Sequence, residues 1–155
     1  MKKLILLLIV VACCQTIKAQ DYNTGIGIRG GFQQGLTIKH FTSANTALEG
    51  LLVTRWGGMF VTGLYEIHAN AFDVDGLNWY YGIGGHVGFY DGSRSPYVAD
   101  DLRYNSVGVD AILGMEYNIP DIPINVSIDW KPAFNILGGT GFWADNGALS
   151  VRYTF

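Results

Sequence analysis

Three histidines, a scatter of carboxylates and a few hydroxyls are the groups in this sequence that could move a proton or attack a bond. His68 follows Glu66 by two residues, and in the alternating segments that carry them His68 and His86 fall on the same parity as Glu66, Asp110 and Glu116. An imidazole held among carboxylates can act as general acid or base, so a buried carboxylate–imidazole site is one reading of these five residues. Hydrogen-bonded filling of a polar core is the other. On the opposite, apolar parity the sole candidate for a base beside a nucleophile is His40, with Ser43 close by in the chain. Gly25-Ile26-Gly27-Ile28-Arg29-Gly30 fits the glycine spacing of a dinucleotide-binding turn, but that turn works by opening a helix, and no helical periodicity follows. Asp73-Val74-Asp75-Gly76 has the look of a calcium loop, yet its glycine comes too early and the twelfth position from Asp73 is Gly84, not a glutamate. A turn is expected there. Asn125-Val126-Ser127 matches a glycosylation sequon by pattern, inside a run that alternates like a strand. The expectation is a protein that is not an enzyme, with no catalytic residue, no cofactor and no metal site.

The elements that must position these side chains are strands. In Leu77 to Gly92, "LNWYYGIGGHVGFYDG", Trp79, Tyr81, Ile83, Val87 and Phe89 share one parity, and Asn78, Tyr80, Gly82, Gly84, His86 and Gly88 the other. Similar alternation runs through Gly25 to Phe32, Leu36 to Lys39, Thr46 to Trp56, Met59 to Ala71, Ser106 to Ile119, Ile124 to Phe134 and Leu149 to Phe155. In Thr46 to Trp56, Leu51 and Val53 blur the pattern by falling with Glu49 and Arg55. Period two over segments of about ten residues is the pattern of strands that cross a bilayer. The expected fold is all-β: an eight-stranded antiparallel up-and-down transmembrane β-barrel with a polar, side-chain-filled interior. Its connections at one end are expected at Gln33-Gln34, Gly57-Gly58, Tyr90 to Asn105 and Asn135 to Asn146. Those at the other end are expected at Thr42 to Asn45, Phe72 to Leu77 and Pro120 to Pro123, each rich in turn formers. Trp56, Trp79, Trp130 and Trp143 lie near strand ends, where an interfacial girdle takes an apolar body with a polar edge.

An eight-stranded barrel leaves room inside only for side chains, so charges on the polar parity must pair with one another. That parity carries Arg29, Lys39, Arg55, Lys131 and Arg152 against Glu49, Glu66, Asp110, Glu116 and Asp129, five of each sign. Many of the 21 glycines share it, among them Gly27, Gly82, Gly84, Gly108 and Gly114, and would make room for the long charged groups.

Upstream of the strands, Met1-Lys2-Lys3, the apolar run Leu4 to Cys14 and Ile17-Lys18-Ala19 have the charge, length and small residue of a secretory signal peptide, 1–19, followed by a single domain, 20–155. The run is too short to span a bilayer as a helix. Removing 19 of the 155 residues leaves 136 and takes away Lys2, Lys3 and Lys18, so seven basic residues face thirteen acidic ones, a net charge of −6. A nucleic-acid partner is not expected. Cys13 and Cys14 both fall inside the signal, which would leave the mature chain without a thiol. A second reading makes Val10-Val11-Ala12-Cys13 a lipobox, with Cys13 lipidated.

The stretches "GIGIRGGF", "LEGLL", "TGLYEIHAN", "WYYGIGGHVGFY", "DAILGMEY", "INVSIDWKPAFN" and "GALSVRYTF" together cover nearly all of the expected mature chain. Through them the sequence resembles the small outer-membrane β-barrel proteins of Gram-negative bacteria. Its last residues, "VRYTF", resemble the terminal signal by which assembly machinery recognises such barrels, with Phe155 as the final aromatic. The resemblance implies a cell outer-membrane location, contact with outer-membrane lipid and lipopolysaccharide, and a monomer acting through external loops or in envelope integrity. The loop Tyr90 to Asn105, with Asp91, Arg94, Asp100, Asp101 and Arg103, is the expected contact surface. Two other readings stay open: a membrane-embedded enzyme modifying lipids, and a secreted soluble barrel carrying a hydrophobic ligand. A conducting pore is a variant of the first reading.

Overall fold

The computed structural model describes residues 22–55, 57–90, 104–138 and 141–155. The expected signal segment with Cys13, Trp56, and the loop 91–103 lie outside the described residues. Among the described residues the regular structure is entirely strand: β1 (Thr24–Gly31), β2 (Gln34–Ser43), β3 (Thr46–Arg55), β4 (Gly58–Asn70), β5 (Leu77–Tyr90), β6 (Tyr104–Asn118), β7 (Ile124–Trp130), β8 (Ala133–Leu137), β9 (Gly141–Trp143) and β10 (Gly147–Thr154). Each sequential pair from β1 to β6 is an antiparallel neighbour, β6 pairs with β7 and β8, and β10 pairs with both β7 and β1. Ile28 of β1 thus faces Leu36 of β2 on one side and Val151 of β10 on the other, and no long edge remains open. The result is a closed eight-stranded antiparallel barrel in which β7 with β8, and β9 with β10, each make one stave.

The seventh stave breaks for a chemical reason. Pro132 has no N–H to give, so the ladder to β6 lapses there. The register does not change across the gap: Leu113 faces Trp130 and Asp110 faces Ala133, a spacing of three on both strands. On the other side of the stave the count differs. Gly147 faces Trp130 and Trp143 faces Ala133, so Ala144, Asp145 and Asn146 stand opposite only Lys131 and Pro132. This one-residue bulge inverts the parity of the eighth stave. Beyond it Leu149, Val151 and Tyr153 point out, whereas before it Trp143 turns in and Phe142 points out.

Most of the expected side-chain sidedness is present. All ten charged residues of the polar parity are buried inside the barrel, and the exposed face carries Ile26, Ile28, Leu36, Ile38, Leu48, Leu52, Val61, Ile83, Val109, Leu113 and Val151. Ile83 is 71% exposed, while Arg152 and Lys39 are 0% exposed. Three expectations are corrected. The interior is not wholly polar: Leu51, Val53, Phe60, Leu64, Tyr80 and Ile112 form one apolar cluster within it, which is why Leu51 and Val53 shared the parity of Glu49 and Arg55. The expected loop from Asn135 to Asn146 contains strand at 135–137 and 141–143, because β8 and β9 form a hairpin of their own. Trp143 packs against that inner cluster instead of joining an outer girdle. Trp130 does face outward and donates from Nε1 to the Ala144 carbonyl at 2.5 Å. Trp79 is half-buried beside Tyr81.

The glycines fulfil different needs on the two faces. A Cβ on the inward-facing Gly27 or Gly84 would sit 1.9 Å from the carbonyl oxygen of Val151 or Gly63, so neighbouring backbone occupies that space. Only glycine permits such an approach. The turn from Ala71 to Gly76 needs positive φ at Phe72, Asp73 and Gly76. Its hydrogen bonds, Val74 N–H to Ala71 C=O and Leu77 N–H to Val74 C=O, mark the expected turn at "DVDG".

Candidate functional site

The barrel has two ends. The near end, where β1 starts and β10 finishes, also carries the turns at 44–45, 71–76 and 119–123; at the far end β1, β3, β5 and β8 finish and β2, β4, β6 and β9 begin. Period-two geometry projects every second side chain of each strand into the shared interior, where polar groups gather at three levels.

At the near level Lys39 of β2 is the hub. Its Nζ lies 2.8 Å from Glu66 Oε2, 3.3 Å from Glu116 Oε2 and 3.8 Å from Glu49 Oε2, and 3.9 Å above the Tyr80 ring. Arg152 of β10 pairs with Glu49 and donates to Thr37 Oγ1 at 3.2 Å, Asn125 Oδ1 at 3.1 Å and Ser127 Oγ at 2.8 Å. Thr37 donates in turn to Glu49 Oε1 at 2.5 Å. His68 Nε2 lies 3.1 Å from Glu66 Oε2, and its Nδ1 lies 3.2 Å from Glu116 Oε1, off the best hydrogen-bonding direction. Tyr22, just before β1, closes this level by donating to Glu116 Oε2 at 3.5 Å. Burial, reinforced by the Glu116 carboxylate, pushes the pKa of the Tyr22 hydroxyl far above the usual tyrosine value, so it stays a donor.

The middle level is a two-point ion pair. Arg29 donates from Nη1 and Nη2 to the two oxygens of Asp129 at 2.6 and 2.5 Å, and Tyr80 donates to Asp129 Oδ2 at 3.3 Å. Tyr80 therefore joins the near and middle levels: its ring stacks on His68 at 5.0 Å while its hydroxyl reaches Asp129. At the far level Lys131 Nζ lies 2.5 Å from Asp110 Oδ1, His86 Nδ1 2.7 Å from Asp110 Oδ2, and His86 Nε2 2.8 Å from Asn135 Oδ1. Arg55 closes the far mouth by pairing with Asn146 and with Asp145 at 2.5 Å, beside the Trp143 ring. The space among Gln33, Phe60, His86, Asp110, Lys131 and Trp143 has no room for a water molecule.

His68 and His86 do lie among the carboxylates their parity implied, but in two separate groups: His68 with Glu66 and Glu116, His86 with Asp110. His40 and Ser43 are not brought together as base and nucleophile. His40 Nδ1 lies 2.9 Å from Thr24 Oγ1, and Ser43 donates to Asn45. Asn125 and Ser127 of the sequon are buried around Arg152, which closes them to any glycosylating enzyme. The glycine-rich Gly25 to Gly30 lies wholly in β1. Among the described residues no group of three or more His, Cys, Asp or Glu is placed to hold a metal ion. Sequence reasoning did not single out Tyr22, Tyr80 or Asn146 as members of the network. Tyr80 and its parity were visible, whereas Tyr22 precedes any alternation and Asn146 lies in the bulge.

The arrangement pairs charged and polar groups across nine strands, β1 to β8 and β10, while Glu66 Oε1 and Glu116 Oε1 are left without a hydrogen-bond partner among the described residues. A buried charge deprived of its partner is strongly unfavourable, so each level ties together staves that are distant in sequence. No protein-family model matches this chain, and comparison with curated proteins gives no match.

Proposed function

We propose that this chain is a small outer-membrane β-barrel protein, not an enzyme, with a plugged lumen, acting through its external loops or in envelope integrity. The observation that carries this reading is the distribution of charge. Every Lys and Arg among the described residues is buried inside the barrel, and the large side chains on the outward face of the staves are mostly Ile, Leu, Val, Phe, Tyr, Trp and Met. A soluble barrel needs the reverse, an apolar interior and a charged surface. A bilayer rewards this inside-out pattern, because the closed ladder satisfies the backbone and the outward side chains meet acyl chains. The far end then faces outward from the cell. It includes the longest connection, residues 91–103, whose sequence carries five charged residues. The three levels of ion pairs, tied across the lumen, favour a closed plug over a pore.

Refolding the full chain from urea into phosphatidylcholine vesicles tests this. The expected outcome is a folded, protease-protected, heat-modifiable monomer in the vesicles and no steady conductance in a planar bilayer. Recovery of a folded monomer in buffer without detergent overturns the membrane reading, and steady conductance overturns the plug.

A further inference from the structure

The near level of the lumen holds an unequal set of permanent charges. Glu49, Glu66 and Glu116 are all buried to 2% exposure or less, and the cations that face them are Lys39 and Arg152. One positive charge is missing. The remaining member is His68, and its two ring nitrogens face oxygens of two different carboxylates, Glu66 Oε2 at 3.1 Å and Glu116 Oε1 at 3.2 Å. A neutral imidazole donates from one nitrogen and presents a lone pair at the other, while an ionised carboxylate only accepts. With all three carboxylates ionised and the ring neutral, a lone pair would face an anion in a closed space. One additional proton removes both faults.

His86 supplies the internal contrast. Its Nδ1 also meets a carboxylate, Asp110, but its Nε2 meets the side-chain amide of Asn135, whose nitrogen has no hydrogen-bond partner among the described residues. Turning that amide over gives His86 a donor, so a neutral ring is satisfied there. Asp110 already has Lys131 as its cation. Among the described residues both ring nitrogens of His68 lie beside carboxylates, and no amide takes the place that Asn135 has at His86.

We propose that the near level is a proton-binding site: it holds one proton beyond those of Lys39 and Arg152, resident on His68 between Glu66 and Glu116, and this proton locks the plug. The inference does not depend on the membrane location. The groups that face His68 come from every element around it: Lys39 and the edge-on Phe41 ring from β2, Glu66 from its own strand, the stacked Tyr80 from β5 and Glu116 from β6. Tyr22 donates to Glu116, and beyond them Glu49 of β3 pairs with Arg152 of β10. Tyr80, stacked at an interplanar angle of 18°, and Phe41 hold the ring in place. Loss of the proton leaves a net negative charge in a space with no cation beyond Lys39 and Arg152 among the described residues, so the folded barrel binds one more proton than the unfolded chain. Stability then falls as the pH rises above about 6.5, where an unfolded histidine has lost its proton, and the unfolding constant grows up to tenfold per pH unit.

The test is nitrogen NMR of the full chain, labelled at histidine and folded in detergent micelles at pH 7.5, with the His68 signal assigned by its absence in His68→Gln or its shift in Glu66→Gln. The expected spectrum has both nitrogens of His68 protonated. Glu66→Gln removes the excess negative charge; in that variant His68 is expected to read neutral, and the alkaline fall in the urea midpoint expected for the wild type is expected to flatten. Glu116→Gln, with the same expectation, replaces it if that variant does not fold. A neutral His68 tautomer in the wild-type spectrum overturns the proposal by itself, as do parallel pH profiles for wild type and variant.

Discussion

Arg152 shows how much one residue can hold in this interior. It is fully buried, and its guanidinium meets Glu49, Thr37, Asn125 and Ser127 from three other strands. Such a group is worth little against an apolar replacement of the whole constellation but a great deal once its partners are in place. Arg152→Met is therefore expected to lower stability by about 3–5 kcal/mol, because it leaves the Glu49 carboxylate buried with Lys39 as its remaining cation, 3.8 Å away. Arg152→Met combined with Glu49→Leu is expected to recover most of that loss. Urea unfolding of the full chain in detergent, with both single variants and the double, measures the coupling; simple additivity would show that the pair is not a unit. Sequence parity named both residues as interior and opposite in charge. It did not pair them, since partners 103 positions apart meet only through closure of the barrel.

At the scale of the strand, glycine and proline mark where the barrel departs from a regular ladder. Gly84 faces inward against the backbone of β4, and a Cβ there would lie 1.9 Å from the Gly63 carbonyl oxygen. Gly63, one stave away on the outer face, has no atom within 4 Å of its own Cβ position. Gly84→Ala is expected to disrupt the β4–β5 ladder and lower stability sharply, whereas Gly63→Ala is expected to change stability by less than about 0.5 kcal/mol, both read from urea unfolding. Equal effects of the two would mean that the close approach at Gly84 is absent. Strands β1 to β7 and β10 were legible to within a few residues, because alternation is a local property, whereas β9 and most of β8 were expected as loop. The bulge at Ala144 to Asn146 was not legible. Its three residues oppose two on the neighbouring stave, a mismatch that exists only between strands, and it turned Trp143 inward against the alternation of β10.

For the whole molecule, the closed ladder and the three tied levels among the described residues lead to the expectation that folding does not need the long connection 91–103. Deleting residues 93–102 is expected to leave a heat-modifiable, protease-protected barrel with an unchanged urea midpoint, while removing any contact that the proposed external surface makes. Loss of folding would show that this connection is part of the plug. By itself the sequence determined the number of staves, the antiparallel succession and the sorting of all ten charged residues onto one face and the apolar belt onto the other, because period two and turn chemistry are read locally along a strand. Tertiary structure alone decided which charges meet. It divided His68 and His86 between two groups, set Tyr80 as the link between levels, drew Leu51 and Val53 into an apolar cluster, and left the near level one cation short. The physical reason is closure: the lumen brings together side chains from every stave at one height, and height depends on register between strands, which no single strand encodes.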